Sequence, residues 1–261
     1  MLFAMDFVVI ALTALVASGL TLFSGFGLGT LLMPVVAIFF PVEVAIGVTA
    51  LVHFANNLFK LGLLGLRADR NVLTRFGIPA VLAAFAGALL LGWLAALPPL
   101  LEYHLGGGVR QLLPVKFAVG LLILIFVLLE LSPAFARLTF DRRWLPLGGF
   151  ISGFFGGLSG HQGALRSMFL IKAGLDKEQF VATGVVLAVM VDLARLSIYG
   201  GGTLLAGRSV DWPLVATATL AAFAGAFAGT RLLKKLTILT VQLCVAGMLT
   251  VVALGLMTGL L

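Results

Sequence analysis

Long runs of apolar residues, separated by short polar or glycine-rich segments, dominate this sequence. A membrane-spanning helix needs about 17 to 25 mostly apolar residues, because each residue rises about 1.5 Å through a hydrocarbon core of about 30 Å. Several segments satisfy this requirement, and we predict that each is a transmembrane helix: 7–23, 43–62, 76–98, 114–131, 177–199, 213–231 and 237–260.

Three further apolar segments are shorter or richer in glycine: 28–40, 146–158 and 163–173. Each of them borders a glycine-rich tip, either SGFGLGT (24–30) or GGLSGHQG (156–163). Each tip therefore predicts a hairpin in the chain, which is either a re-entrant pair of half-helices or two full crossings.

The lysines and arginines fall between the apolar segments in four clusters: Lys60/Arg67/Arg70/Arg75, Arg137/Arg142/Arg143, Lys172/Lys177 and Arg231/Lys234/Lys235. Cytoplasmic loops of membrane proteins carry an excess of such residues. We therefore place the four clusters in the cytoplasm, and the loops 99–113 and 200–212 outside. This arrangement predicts a multi-pass protein of a bacterial inner membrane with both termini on the periplasmic side.

The order of hairpin, long helix, long helix, long helix occurs twice along the chain. The segment PVEVAIGVTALVHFANNLFKL (41–61) aligns without a gap to DKEQFVATGVVLAVMVDLARL (176–196). The first copy starts outside and the second inside, so the halves are predicted to be inverted, as in many secondary transporters. We predict an all-α polytopic membrane protein forming a single membrane domain, with an N-terminal repeat (1–131), a cytoplasmic linker (132–145) and a C-terminal inverted repeat (146–261).

Composition excludes several other classes of protein. Of the 261 residues, 61% are hydrophobic and 10% are charged, whereas soluble domains carry about a quarter charged residues. The net charge of +7 is spread over the loops, which argues against a nucleic-acid partner and for the lipid bilayer. The single cysteine, Cys244, excludes an internal disulfide and a cysteine-rich metal site. We expect no metal and no cofactor, and no phosphate loop for ATP occurs.

The tips resemble motifs of the TauE/SafE family of sulfite exporters, also called the toluenesulfonate uptake permease family. Gly25, Gly27, Gly29 and Pro34 in SGFGLGTLLMP are similar to its N-terminal glycine-rich motif, and GFFGGLSG (153–160) is similar to its second motif. The sequence departs from that family after residue 160, where further glycines are usual and HQGA (161–164) stands here. The resemblance implies a transporter of small sulfur-containing anions, such as sulfite or a small organosulfonate.

The glycine tips are the predicted substrate site. Glycine lets backbone N–H groups approach a ligand, and helices that begin at the tips direct partial positive charge toward it. The alternative is that these glycines serve close helix packing. The predicted substrate-binding residues are Ser24, Gly25, Phe26, Gly27, Gly29, Thr30, Ser159, Gly160, His161, Gln162, Gly163 and Arg166.

Two residues at the second tip each have several possible roles. His161 can donate to an oxyanion when neutral, couple anion and proton movement when protonated, or only close the turn. Arg166 can bind a sulfonate through two parallel hydrogen bonds, pair with an acid, or extend toward the cytoplasmic surface.

Polar residues also form one stripe on each of two spanning helices. Thr49, His53, Asn56, Asn57 and Lys60 share a face of 43–62, and Asp192, Arg195 and Tyr199 share a face of 177–199. Asp192 and Arg195 have the spacing of an ion pair, and Lys60 is expected at the cytoplasmic surface. We predict a network that either couples protons or holds the bundle together: His53, Asn56, Asn57, Asp192 and Arg195.

The predicted function is secondary transport, with export of a small anion by alternating access at a midplane site between the hairpin tips. Protons are a candidate coupling ion, and monomer and homodimer both remain open. A channel-like anion pathway is the first alternative. A membrane-embedded enzyme is disfavoured because no HExxH or GxSxG pattern occurs, so we do not expect an enzyme. A purely structural membrane subunit is the third alternative.

Overall fold

The apolar segments form helices, as predicted, in the computed structural model, which describes residues 2–20, 27–64, 67–106, 108–200, 211–232 and 238–261. Helices long and apolar enough to cross a membrane cover Val42–Gly62, Arg70–Ala96, Pro114–Leu131 and Lys177–Ile198 within these residues. Shorter apolar helical stretches cover Met5–Gly19, Leu28–Phe39, Trp212–Ala228 and Val245–Thr258. The chain is therefore an all-α, multi-pass membrane protein.

The helices lie within a few residues of the predicted bounds. Those before the linker are α1 (Leu2–Leu20), α2 (Leu28–Phe39), α3 (Val42–Leu64), α4 (Arg70–Val72), α5 (Ile78–Ala96) and α6 (Pro114–Leu131). A π-helical turn, Leu73–Gly77, joins α4 to α5. The linker contains α7 (Pro133–Ala136) and a 3-10 turn (Arg142–Trp144), and the remaining helices are α8 (Leu145–Ser159), α9 (Gly163–Leu170), α10 (Lys177–Ile198), α11 (Trp212–Leu232) and α12 (Ile238–Thr258).

Helix lengths favour a re-entrant second hairpin. Helix α8 has 15 residues and α9 has 8, so they are about 22 Å and 12 Å long, which is less than the hydrocarbon core. In the first hairpin, α1 has 19 residues and is nearly long enough to cross, whereas α2 has 12.

A β-hairpin in the loop after α5 is an element that the sequence analysis did not predict. Strands β1 (Leu101–Leu105) and β2 (Gly108–Leu112) pair antiparallel, with Leu101 opposite Leu112. The Tyr103 hydroxyl donates to the carbonyl oxygen of Thr258 at the end of α12. The hairpin and the end of α12 therefore lie at the same end of the molecule.

Three of the predicted basic clusters meet at one end of the molecule. Arg67 forms an ion pair with Glu178 at the start of α10, and the backbone N–H of Asp69 donates to Thr183 Oγ1 at 2.9 Å. The linker joins them, because Arg142 donates to Asn71 Oδ1 at 3.1 Å. The loop after α3, the linker and the start of α10 thus form one surface, here called the basic end. The side chains of the fourth cluster, at 231–235, lie outside the described residues.

The closest helix packing joins the two predicted halves. Helix α8 runs parallel to α5, α1 packs on α11, α3 on α10 and α6 on α12. A Cβ added at any of three glycines of α8 would lie 2.1 Å from a carbonyl oxygen of α5 or of the π-helical turn before it: Gly149 on Phe76, Gly153 on Ala80 and Gly157 on Ala84. Only glycine permits this approach, so these residues fix α8 against α5.

Large apolar side chains cover the outside of the bundle. Leu82, Leu128, Leu220 and Val251 are each more than 60% exposed, although they lie on four different helices. In water such a surface would aggregate, whereas in a bilayer it contacts hydrocarbon.

Candidate functional site

Two helices begin at the glycine tips, as the sequence predicts. Helix α2 begins at Leu28, directly after Gly27, and α9 begins at Gly163, directly after Gln162. Neither preceding residue caps its helix with a side-chain hydrogen bond. The first N–H groups of a helix have no partner within it, so both starts offer backbone donors and partial positive charge to a ligand.

The two tips meet in the interior. A Cβ added at Gly29 would lie 3.7 Å from the carbonyl oxygen of Gly160, and equally far from Thr49 Cγ2 on α3. Gly160 ends α8 with a φ of +85°, a left-handed conformation that glycine adopts readily. A residue of each predicted half therefore lines the same point.

Three buried polar atoms near this point have no hydrogen-bond partner within the described structure: Thr49 Oγ1, His161 Nε2 and Gln162 Nε2. Their residues are 2%, 4% and 3% exposed. A buried polar group without a partner costs about 1–3 kcal/mol, so such groups are seldom left together without a function. They mark the tips as a place where a polar ligand would be favoured.

The surroundings of His161 hold its ring in place. The ring stacks on Phe126, with centroids 5.2 Å apart, and Nδ1 lies 3.0 Å from Ser159 Oγ. The Ser159 hydroxyl donates in turn to the Phe155 carbonyl oxygen at 3.2 Å. These contacts occupy the Nδ1 side of the ring, and Nε2 is the ring nitrogen without a partner within the described structure.

The predicted ion pair of Asp192 and Arg195 is present and fully buried. Arg195 Nε donates to Asp192 Oδ1 at 3.0 Å, and Nη2 lies 2.7 Å from the same oxygen. The other carboxylate oxygen, Oδ2, is 2.6 Å from His53 Nδ1 on α3. The central helices of the two predicted halves are thus joined through one carboxylate.

The remaining members of the predicted network support this junction. The Asn57 amide donates to the His53 carbonyl at 2.9 Å, and Ser18 on α1 donates to Asn56 Oδ1 at 3.1 Å. Tyr199 donates to the carbonyl oxygen of Gly157. The network therefore extends from α3 and α10 to α1 and α8.

The expectation for Lys60 is wrong. Its side chain is 7% exposed and therefore lies inside the bundle, where it interacts electrostatically with Arg166 on α9. Arg166 itself is half-buried, and its Nη1 lies 3.4 Å from Gln162 Oε1. Arg166 in turn interacts electrostatically with Asp192, which also pairs with Arg195.

The glycines of the second motif lie on two different faces of α8. Gly153 and Gly157 face α5 and permit close packing. Gly156 and Gly160 instead face α10 and the second tip, because a Cβ at Gly156 would lie 2.9 Å from Val191 Cγ1 and 3.2 Å from Gln162 Cβ, and one at Gly160 would lie 2.8 Å from Arg195 Nη1. The sequence alone could not separate the two faces, since all four glycines lie within eight residues.

The other predicted site residues stand as follows. The carbonyl oxygen of Gly27 accepts the N–H of Thr30, which is buried in the first turn of α2. Ser24, Gly25 and Phe26 lie outside the described residues. No group of three or more metal-ligating side chains occurs within the described parts of the chain.

A family model described as "Sulfite exporter TauE/SafE" matches residues 10–256. This match covers both predicted halves and both tips. No curated protein and no solved structure matches the chain.

Proposed function

We propose that this chain, which belongs to the sulfite exporter TauE/SafE family, exports sulfite or a small organosulfonate as a secondary transporter. The family describes membrane transporters of sulfur anions, and the tips supply the chemistry for such a substrate. One observation carries the proposal: Gly29 and Gly160 lie close together beside buried polar atoms that have no hydrogen-bond partner within the described structure. An anion there would accept from Thr49, Gln162 and the starts of α2 and α9.

The charge around the tips supports an anionic substrate. Arg166 and Arg195 both interact with Asp192, so two cations share this carboxylate. Buried positive charge is costly in a membrane unless it faces a cavity or a ligand. A cation at this site would be repelled, whereas an anion would lower the electrostatic free energy.

The depth of the site supports alternating access at the midplane. His53 is eleven residues from each end of α3, which places it about 16 Å from either end. The helix pairs are those expected of two related halves, in which α1 corresponds to α8 and α5 to α11. The contact of α5 with α8 is then equivalent to that of α11 with α1, while α3 packs on its counterpart α10 and α6 on its counterpart α12. This pattern supports the predicted inverted repeat, in which one half moves against the other around a central site.

The direction of transport follows from the charge of the substrate. A membrane potential that is negative in the cytoplasm favours outward movement of an anion by about 2.3 kcal/mol per charge per 100 mV. Export therefore needs no second ion, whereas uptake would need one.

The test is flux of radiolabelled sulfite and methanesulfonate from proteoliposomes at two clamped membrane potentials, with sulfate and chloride for comparison. We expect saturable flux with counterflow, and at least a tenfold loss on Gln162→Ala because a donor to the anion is removed. His104→Gln, in the exposed β-hairpin, is the control and should transport normally. Flux that does not saturate would indicate a channel, and no flux of either sulfur anion would remove the proposed substrate class.

A further inference from the structure

We propose that Arg195, rather than Arg166, supplies the positive charge that contacts the transported anion, at the point where the two tips meet. This inference rests on the proposed function. The sequence suggested the opposite assignment, with Arg166 as the substrate ligand and Arg195 in a structural ion pair.

The position of the Arg195 guanidinium is the first step. A Cβ added at Gly160 would lie 2.8 Å from Arg195 Nη1, so this nitrogen lies directly against the backbone of the second tip. The carbonyl oxygen of the same Gly160 lies 3.7 Å from a Cβ added at Gly29 of the first tip, as does Thr49 Cγ2. Nη1 of Arg195 therefore lies beside the junction of the tips.

The second step is the division of the guanidinium into a held edge and a spare edge. Nε donates to Asp192 Oδ1, Nη2 lies 2.7 Å from the same oxygen without forming a hydrogen bond to it, and His53 holds Asp192 from the other side. The remaining nitrogen, Nη1, donates a long hydrogen bond of 3.5 Å to Gly156 O, and the Tyr199 hydroxyl also lies within hydrogen-bonding reach of the Arg195 side chain. Because Nη1 carries two N–H groups, donor capacity remains on the edge that faces the tips.

The position of Arg166 argues against it as the direct ligand. It lies one turn beyond the second tip, where Gly184 of α10 leaves room for its Nε, and it is more exposed than Arg195. Its Nη1 is already directed toward Gln162 Oε1. Arg166 adds to the positive potential on this side of the tips, while Arg195 is fixed at the junction.

A guanidinium shared between Asp192 and a ligand has a chemical consequence. Its N–H groups lie in a rigid plane, so they favour an acceptor with directed oxygen lone pairs, such as sulfite or a sulfonate, over a spherical halide. Asp192 and His53 are then positioning residues, since they orient Arg195 without contacting the anion.

The test separates contact with the anion from simple charge balance. Arg195→Gln alone would leave Asp192 buried without its partner and destabilise the fold. The informative protein is therefore the double variant Arg195→Gln/Asp192→Asn, which removes both charges. Its half-saturation concentration for sulfite and methanesulfonate flux is compared with those of wild type, Arg166→Gln and Arg142→Gln, an exposed arginine of the linker.

We expect the double variant to raise the half-saturation concentration roughly tenfold or more, because a charge-assisted hydrogen bond to the anion is lost. Arg166→Gln should raise it less than the double variant does, and Arg142→Gln should leave it unchanged. A double variant that saturates like wild type would overturn the proposal, because Arg195 would then only balance Asp192, and the exporter function would stand. Absence of wild-type flux would remove both proposals.

Arg195→Lys keeps the test decisive if the double variant does not fold. Lysine retains the charge and can still pair with Asp192, but it cannot hold two partners on the two edges of a planar fork. We expect sulfite and methanesulfonate to lose affinity severalfold while inhibition by chloride is unchanged. Equal half-saturation in Arg195→Lys and wild type would overturn the proposal.

Discussion

At the scale of single residues, Gly160 matters both for its left-handed backbone conformation and for its contact with the charged side chain of Arg195. Its φ of +85° ends α8 and turns the chain toward α9, and its missing side chain leaves the space that Arg195 Nη1 occupies. Gly174 has a similar φ, +78°, but a Cβ there would meet nothing within 4 Å. The two glycines therefore share a conformation and differ in their neighbours.

We predict that Gly160→Ala impairs transport and that Gly174→Ala does not. Both variants pay about 1–2 kcal/mol for an L-residue in the left-handed region. Only the alanine at 160 also displaces Arg195, so its half-saturation concentration for sulfite should rise severalfold. Thermal unfolding in detergent and flux are measured on the same preparations. Equal flux defects in the two variants would show that backbone strain, and not the position of Arg195, is responsible.

At the scale of elements, hydropathy predicted the helices because a bilayer imposes their length and apolarity. It missed the β-hairpin, although the three glycines at 106–108 and the alternation in LEYHL (101–105) indicate a turn after a short strand. Lys60 was misplaced for another reason. A lysine near a helix end usually extends to the surface, and only the tertiary packing of α3 shows that this one is enclosed.

The candidate site was predictable in part. The Asp192–Arg195 pair and the two helix starts follow from local spacing, which the sequence contains. The approach of Arg195 to Gly160, 35 positions away, depends on how α10 packs on α8, and no local pattern encodes it.

We predict that the packing of α8 on α5 is sensitive to a single methyl group. A Cβ at Gly153 would lie 2.1 Å from the Ala80 carbonyl oxygen, and overpacking of this kind costs about 1–3 kcal/mol. Gly153→Ala should therefore lower the midpoint of thermal unfolding in detergent. Gly247→Ala on α12, where nothing lies within 4 Å, is the matched control and should be neutral or slightly stabilising. The idea fails if both variants unfold at the same temperature.

At the scale of the whole molecule, the two ends of the bundle differ in charge. Arg67, Arg142 and the start of α10 form the basic end, and the β-hairpin lies with the end of α12. Because cytoplasmic loops carry an excess of positive charge, we predict that the basic end faces the cytoplasm.

This orientation predicts which positions a membrane-impermeant thiol reagent reaches. In a Cys244→Ala background, His104→Cys should be labelled in intact spheroplasts, whereas Arg142→Cys should be labelled only after the membrane is opened. Both positions are exposed, so access depends on the side of the membrane alone. The reverse pattern would invert the topology and, with it, the direction in which the potential drives an anion.

The parallel seam between α5 and α8 also bears on biogenesis. Ribosomes deliver α5 to the membrane before the linker and α8 have been synthesised, so the small-residue groove at Ala80 and Ala84 must first be covered by lipid or by a neighbouring helix. A chain that stops at residue 131 would keep this groove open permanently. Two half-length polypeptides produced together should therefore recognise each other through this seam, and a first half produced alone should be a substrate for membrane quality-control proteases.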